Sequence, residues 1–133
     1  MNEIRKLLIL DGIGGVPLGR EICDTFGDLG ISATHFDCLQ APRRALYSAR
    51  STYAKLRNRG MEKDGFYLLP KLIERDLHQL IAREQPSHIL VIGFIYKFFD
   101  PALLRRLANE AGASLFLYDT DTCNLYARRR EFI

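Results

Sequence analysis

Residues 4–37 read IRKLLILDGIGGVPLGREICDTFGDLGISATHFD and show two hydrophobic patterns, one typical of strands and one typical of a helix. The first residues, 4–10, form a short apolar run that is typical of a strand buried on both faces of a parallel sheet. A glycine-containing loop follows, and Pro17 stands where a helix can begin. A helix ending at Gly30 and a second strand at 31–37 complete the pattern. The order strand, loop, helix, strand predicts the opening of a βαβ unit.

Downstream of this unit, apolar residues keep alternating between strand-like and helical spacing. HILVIGF forms the clearest buried strand of the chain, and Pro86 ends the helix before it. Asp100 followed by Pro101 is typical of a helix N-terminus, and Gly112 of a helix end. The pattern predicts helices at 43–59, 67–84 and 101–112, and strands at 88–94 and 113–119.

Strands that alternate with helices predict an α/β fold, here a Rossmann-like three-layer sandwich. We expect a parallel sheet of about four strands in the order 2-1-3-4, with right-handed crossovers and helices on both faces. A length of 133 residues is most simply one Rossmann-like domain, 1–133.

Composition and charge argue against several classes of protein. The net charge of +3 is too small to require nucleic acid or an anionic membrane. Cys23, Cys38 and Cys123 are far apart and include no Cys-x-x-Cys pair, which argues against a disulfide framework or a zinc site. The short apolar run before Asp11 is too brief for a signal peptide or a membrane span. We therefore expect a cytoplasmic protein that uses no cofactor.

The carboxyl ends of parallel strands form the edge at which such sheets bind ligands. Asp11 ends the first strand. Gly12, Gly14 and Gly15 let the backbone approach a ligand, ahead of a helix N-terminus that attracts anions. The dinucleotide-binding fingerprint is broken, because Pro17 takes the place of its third glycine. A tight strand-to-helix turn is the alternative interpretation of this loop.

Two further predicted strand ends carry polar side chains. Asp119 and Asp121 follow the fourth strand and allow two interpretations. They resemble the Asp-x-Asp cation site of metal-dependent glycosyltransferases, whose oxygen ligands suit Mg or Mn, or they mark a strand end that caps the next helix. Lys97 follows the third strand and also allows two interpretations: it contacts a ligand, or it is a solvated loop residue. Three scattered histidines are expected to be structural or exposed: His35, His78 and His88.

The segment 43–63 is strongly basic and contains Tyr47 and Tyr53 among its cations. It allows two interpretations: a nucleic-acid surface, or the solvated face of a helix. We favour the solvated face and do not expect a nucleic-acid partner. The basic residues of this segment, set against the single acidic residue Glu62, are Arg43, Arg44, Arg50, Lys55, Arg57, Arg59 and Lys63.

The last part of the chain, 86–133, resembles the N-terminal domain of CgeB-like glycosyltransferases of the spore-maturation type. The resemblance is carried by a buried strand at 88–94, a short polar loop, a proline-led leucine-rich helix at 101–112, and a strand that runs into aspartates at 115–121. The glycine-rich first loop also suits such a domain.

This resemblance implies half of a GT-B enzyme, in which two Rossmann-like domains face each other across a cleft. The N-terminal half would face the acceptor, whose identity the resemblance does not give. A missing C-terminal domain would hold most of the nucleotide-sugar donor, and no metal is implied. Asp11 or Asp119 would then be the catalytic base.

The residues expected to bind substrate are Gly12, Gly14, Gly15, Lys97 and Asp121. The isolated domain is expected to be inactive, as the N-terminal half of a longer protein. The alternative is a non-catalytic Rossmann-like or flavodoxin-like interaction domain, with a homodimer formed through its leucine-rich helices.

Overall fold

The structure, a computed structural model, describes residues 3–57, 69–93 and 98–118. Helices separate the strands along these ranges, as the βαβ pattern predicts, with two helices described between the second and third strands. The elements are β1 (Lys6–Gly12), α1 (Leu18–Asp28), β2 (Ser32–Asp37), α2 (Tyr47–Arg57), α3 (Glu74–Glu84), β3 (His88–Gly93), α4 (Pro101–Glu110) and β4 (Ser114–Tyr118).

The four strands form one parallel sheet in the order β2-β1-β3-β4, which confirms the predicted topology. β1 is a central strand, paired with β2 on one side and β3 on the other. Its register places Leu7 opposite both Ala33 and His88. The apolar run of β1 is buried because both of its edges and both of its faces are covered.

Side chains of β1 alternate between two apolar clusters, one on each face of the sheet. Leu8 and Leu10 pack with leucines of α3 and α4, while Leu7 and Ile9 pack with α1 residues such as Phe26. Helices therefore cover both faces, as predicted. Leu77 and Leu80 of α3 are at most 4% exposed and so belong to the interior of the chain.

Several predicted boundaries differ from the structure, and three of the differences have a clear local reason. β1 runs one residue past Asp11, the predicted strand end, to Gly12, since both residues stay paired with β3. The helix predicted from residue 67 begins at Glu74, because Pro70 cannot continue a helical hydrogen-bond pattern. The helix predicted from residue 43 begins at Tyr47, after Leu46 adopts a positive φ of 53°.

The start of α4 agrees with the sequence prediction. Asp100 is its N-cap, and one carboxylate oxygen, Oδ1, accepts a hydrogen bond of 3.0 Å from the backbone N–H of Ala102. Pro101 occupies the first helical position, where no backbone donor is needed. Across the described ranges, no helix has the length and apolar character required to cross a membrane.

Candidate functional site

Asp11 lies near the carboxyl end of β1, at the edge where the sequence predicts ligand binding. The residue is only 4% exposed. Its Oδ1 accepts a hydrogen bond of 3.0 Å from the N–H of Ile13, and its backbone oxygen accepts one of 2.9 Å from the N–H of Cys38. These bonds hold the strand end and the two loops that leave β1 and β2 in fixed positions.

His35 of β2 is the direct partner of the Asp11 side chain. The imidazole Nε2 lies 3.0 Å from Asp11 Oδ2. The parallel register pairs His35 with Ile9 and Asp37 with Asp11, so the His35 and Asp11 side chains leave the sheet on the same face. The Asp11 side chain is 5% exposed and that of His35 is 18% exposed, so the pair is nearly but not fully shielded.

Gly19 of α1 covers this pair from the helix side. A Cβ atom at this position would lie 2.7 Å from Asp11 Cγ and 2.8 Å from His35 Nε2. Contacts below 3.0 Å essentially do not occur for real Cβ atoms, so a side chain larger than hydrogen would displace the pair. The first turn of α1 is therefore fitted closely to the carboxylate and the imidazole.

The pair opens into a cavity of about 390 Å³ between the first loop, α1 and the ends of β1 and β2. Apolar and polar groups share its wall, and Arg20 and Asp37 bring opposite charges to it. Such a mixed lining suits a small polar ligand that can pair with both a positive and a negative side chain. The lining residues are Asp11, Ile13, Gly15, Val16, Pro17, Arg20, His35, Asp37, Leu39 and Gln40.

The three predicted loop glycines take different positions. Gly12 is the last residue of β1 and is buried, whereas Gly14 and Gly15 are exposed in the loop. Gly15 has a positive φ of 81° and lines the cavity. The helix that follows has Pro17 as its N-cap residue, with no side-chain hydrogen bond to its first turn.

At the ends of β1 and β3, the side chain of Ile13 lies against Gly93 and occupies the space between the two strands. Gly93, at the end of β3, has a φ of 69°, and a Cβ there would lie 2.5 Å from Cγ1 of Ile13. Ile13 therefore packs over the point where strand order reverses. The open space lies instead on the β2 side of β1, beside Asp11 and His35.

Two thiols lie close to this site but are poorly suited to nucleophilic attack. Burial, with smaller effects of Asp11 and Asp37, raises the pKa of the Cys38 thiol. Burial and the charge of Asp24 also raise the pKa of Cys23. Since the thiolate is the reactive form, both groups are unreactive at neutral pH.

The sequence found part of this arrangement and missed the rest. The structure brings Asp11, Gly12 and Gly15 to one edge, as expected. The sequence predicts an isolated histidine at position 35; its place near the end of the second strand indicates the edge of the sheet but not the pairing with Asp11, which depends on the register of β1 and β2. Gly19 and Arg20 were also missed.

Other predictions cannot be placed in this geometry. Lys97, Asp119 and Asp121 lie outside the described residues. Within those residues, no group of three or more His, Cys, Asp and Glu side chains is arranged to hold a metal ion.

Comparison of the chain with protein-family models, curated proteins and solved structures gives no match. The resemblance to glycosyltransferases therefore remains a prediction from sequence. The chemistry available at this edge of the sheet is that of the Asp11–His35 pair and the cavity beside it.

Proposed function

We propose that this chain is the acceptor-side domain of a glycosyltransferase that uses a nucleotide-sugar donor, with His35 as general base. The observation that carries the proposal is the 3.0 Å contact between His35 Nε2 and Asp11 Oδ2 beside an open cavity. Activation of an acceptor hydroxyl needs a base within hydrogen-bond reach, and histidine is the residue used most often.

The two residues have different roles in this proposal. An ionised carboxylate only accepts hydrogen bonds, so Asp11 fixes the imidazole with its proton on Nε2. Nδ1 is then the nitrogen that takes the proton of the acceptor hydroxyl. The acceptor oxygen bonds to the anomeric carbon of the donor as the bond from that carbon to the nucleoside diphosphate breaks.

Asp11 therefore acts in the proposal as a positioning residue, rather than as the base expected from sequence. Both of its carboxylate oxygens already accept hydrogen bonds, from Ile13 N–H and from the His35 ring. A carboxylate that is 5% exposed and engaged on both sides is poorly placed to meet an acceptor directly. The donor would be held mainly by a second domain, as the sequence resemblance implies.

Nuclear magnetic resonance of the whole chain tests the proposal. In neutral His35 we expect the proton on Nε2, seen in long-range correlations of the ring nitrogens. Titration with a panel of sugars and hydroxyl-bearing peptides should shift the His35 ring signals for at least one acceptor class. Nucleotide sugars should bind weakly, because most of their contacts are assigned to another domain.

The matched variants are His35→Ala and His78→Ala, the second on the exposed face of α3. Acceptor binding should weaken only in the first. Equal acceptor binding by the two variants, or no shift at His35 with any acceptor, would contradict the proposed role of this site.

A non-catalytic interaction domain is the second candidate, favoured by Ile13 packing over Gly93 at the strand-order reversal. In that case no small molecule of the panel should perturb His35. Surface residues away from the β1–β2 edge would respond instead when a protein partner is added.

A further inference from the structure

Helix α2 and Leu46, the residue before it, present large apolar side chains to solvent. Leu46, Tyr53 and Leu56 are 79%, 64% and 57% exposed. The buried residue of the helix is Ser51, a small polar side chain. This is the reverse of an ordinary surface helix, which turns its apolar stripe to the core.

Among the described residues, polar contacts link the α2 region to the segment 69–71. The Tyr47 hydroxyl donates to the backbone oxygen of Leu69 at 3.0 Å. Just before the helix, the Arg44 guanidinium donates to the Pro70 oxygen at 2.9 Å, and its backbone N–H to the Lys71 oxygen at 2.8 Å. The stripe formed by Leu46, Tyr53 and Leu56 is thus left facing outward.

The same region carries only one sign of charge. Residues 38–57 contain five basic residues and no acidic residue. Arg50 and Arg57 are exposed and lie on α2 beside the apolar stripe. Arg50 also lines an apolar groove of about 500 Å³ together with Leu46 and Tyr53.

We propose that this outward face, Leu46 to Arg57, binds the surface of an anionic lipid membrane. A helix with an apolar stripe flanked by basic residues is suited to the membrane interface. Apolar side chains would enter the acyl boundary, while the arginines meet the lipid headgroups. The complementary charge is negative, and nothing in residues 38–57 would repel it.

Other anionic partners fit these observations less well. Nucleic acids are contacted largely through hydrogen bonds to phosphate and sugar, and Leu46 and Leu56 offer neither donors nor acceptors in their side chains. Side chains that project from a convex helix, more than half exposed, suit insertion into a soft layer. The proposal is independent of the Asp11–His35 site, which lies on other elements.

Vesicle co-sedimentation tests this inference with the whole chain. We expect binding to vesicles of phosphatidylcholine with phosphatidylserine, but not to phosphatidylcholine alone. Added salt should release the protein, because exposed charges are screened. Each of Arg50→Gln and Arg57→Gln should weaken binding by about fivefold.

The variant Tyr53→Ser/Leu56→Ser tests the apolar half and should abolish binding without loss of folding, since both side chains are exposed. Arg75→Gln, an exposed arginine of α3, is the matched control and should bind as the unmodified chain does. Circular dichroism confirms that each variant is folded.

Failure of the unmodified chain to bind anionic vesicles would overturn the proposal. So would equal binding by the Ser/Ser variant and the control. Tight binding of single-stranded RNA or of an acidic peptide in the same salt series, with no binding to vesicles, would assign the face to another class of partner.

Discussion

At the scale of single residues, Gly19 lies tightly against the Asp11–His35 pair. The helix backbone comes so near to the two side chains that hydrogen is the largest group with room at this position. The carboxylate beneath it is buried and bonded on both sides, and it cannot rotate away without losing Ile13 N–H or His35. Gly19 therefore couples the start of α1 to the geometry of the proposed base.

Gly19→Ala should destabilise the protein by about 1 to 3 kcal/mol, the usual cost of inserting a methyl group into a packed site. The measurement is the free energy of unfolding in urea, combined with the His35 ring signals, which should move. Gly27→Ala in the same helix is the control, because a Cβ there meets nothing within 4 Å. That change should be neutral or stabilise by up to about 1 kcal/mol. Equal effects at both positions would show that the contact at Gly19 is unimportant.

The sequence places Asp11 at the carboxyl edge of the sheet, where the structure also has it, but does not pair it with His35. Asp11 was identified because an acidic residue directly after an apolar run marks a strand end. His35 could not be assigned in the same way, since pairing it with Asp11 requires the register of two strands separated by a whole helix. The close approach of Gly19 is likewise a tertiary fact that spacing along the chain does not reveal.

At the scale of elements, α4 has the best-defined beginning. Asp100 accepts from Ala102 N–H, and Pro101 presets the first turn. By contrast, α1 and α3 begin at Pro17 and Ile73 without a side-chain hydrogen bond. The helix that carries Leu104 and Leu107 into the core thus begins with a side-chain cap, which α1 and α3 lack.

Asp100→Ala should cost about 1 kcal/mol of stability, the typical value for loss of an N-cap. Asp100→Asn should retain most of it, since asparagine caps helices about as well as aspartate. Thermal unfolding of the two variants beside the unmodified protein provides the measurement. A loss of similar size in Asp100→Asn would mean that the negative charge, rather than the capping bond, matters.

Sequence patterns gave the order and type of the elements but not all of their ends. The helical spacing of Leu69, Leu72 and Leu77 suggested one helix, yet Pro70 interrupts it and the first two precede α3. Leu72 is nevertheless 2% exposed, held by a 3.0 Å bond from its N–H to the Phe98 oxygen. Leu72 is thus buried by tertiary contacts, although its spacing from Leu69 and Leu77 is the spacing expected of a helix.

At the scale of the whole molecule, Glu84 ties three elements together. From the end of α3 its Oε2 contacts Lys6 of β1 and Thr34 of β2, each at 3.0 Å. Hydrogen bonds from Lys6, and to a lesser degree from Arg83 and Thr34, lower the pKa of Glu84 despite the opposing effect of burial. The stability this carboxylate supplies is therefore present above the ordinary glutamate pKa of about 4.3 and is lost as pH falls through the lowered value.

Glu84→Gln should lower the free energy of unfolding by about 1.5 to 3 kcal/mol at neutral pH, as expected for hydrogen bonds to a charged group. The difference from the unmodified protein should shrink as pH falls below the ordinary glutamate pKa of about 4.3 and through the lowered pKa of the native carboxylate. Urea unfolding across this range measures both. Glu110→Gln is the control, because that side chain is 59% exposed and its ion pair is long, with Glu110 Oε1 lying 3.8 Å from Arg106 Nε. A pH-independent effect at position 84 would rule out the charge as its source.

Topology was the most predictable property of the molecule. Alternation of buried strands and helices, with right-handed crossovers, is compatible with few arrangements, and β2-β1-β3-β4 is the one adopted. The site was half predictable: topology indicates the edge, but which crevice along that edge is open depends on packing. Ile13 fills the space beside Gly93, and this depends on side-chain volume in three dimensions.

The central position of β1 also has a consequence for synthesis of the chain. Lys6 and Ser87, which are hydrogen-bonded, are 81 residues apart in sequence. At roughly 5 to 20 residues per second, a ribosome leaves β1 without its second neighbour for about 4 to 16 seconds. During that interval β1, with the buried apolar residues Leu7, Leu8, Ile9 and Leu10, has at most β2 on one edge and open backbone on the other. The nascent chain is therefore most prone to association with other chains before β3 emerges.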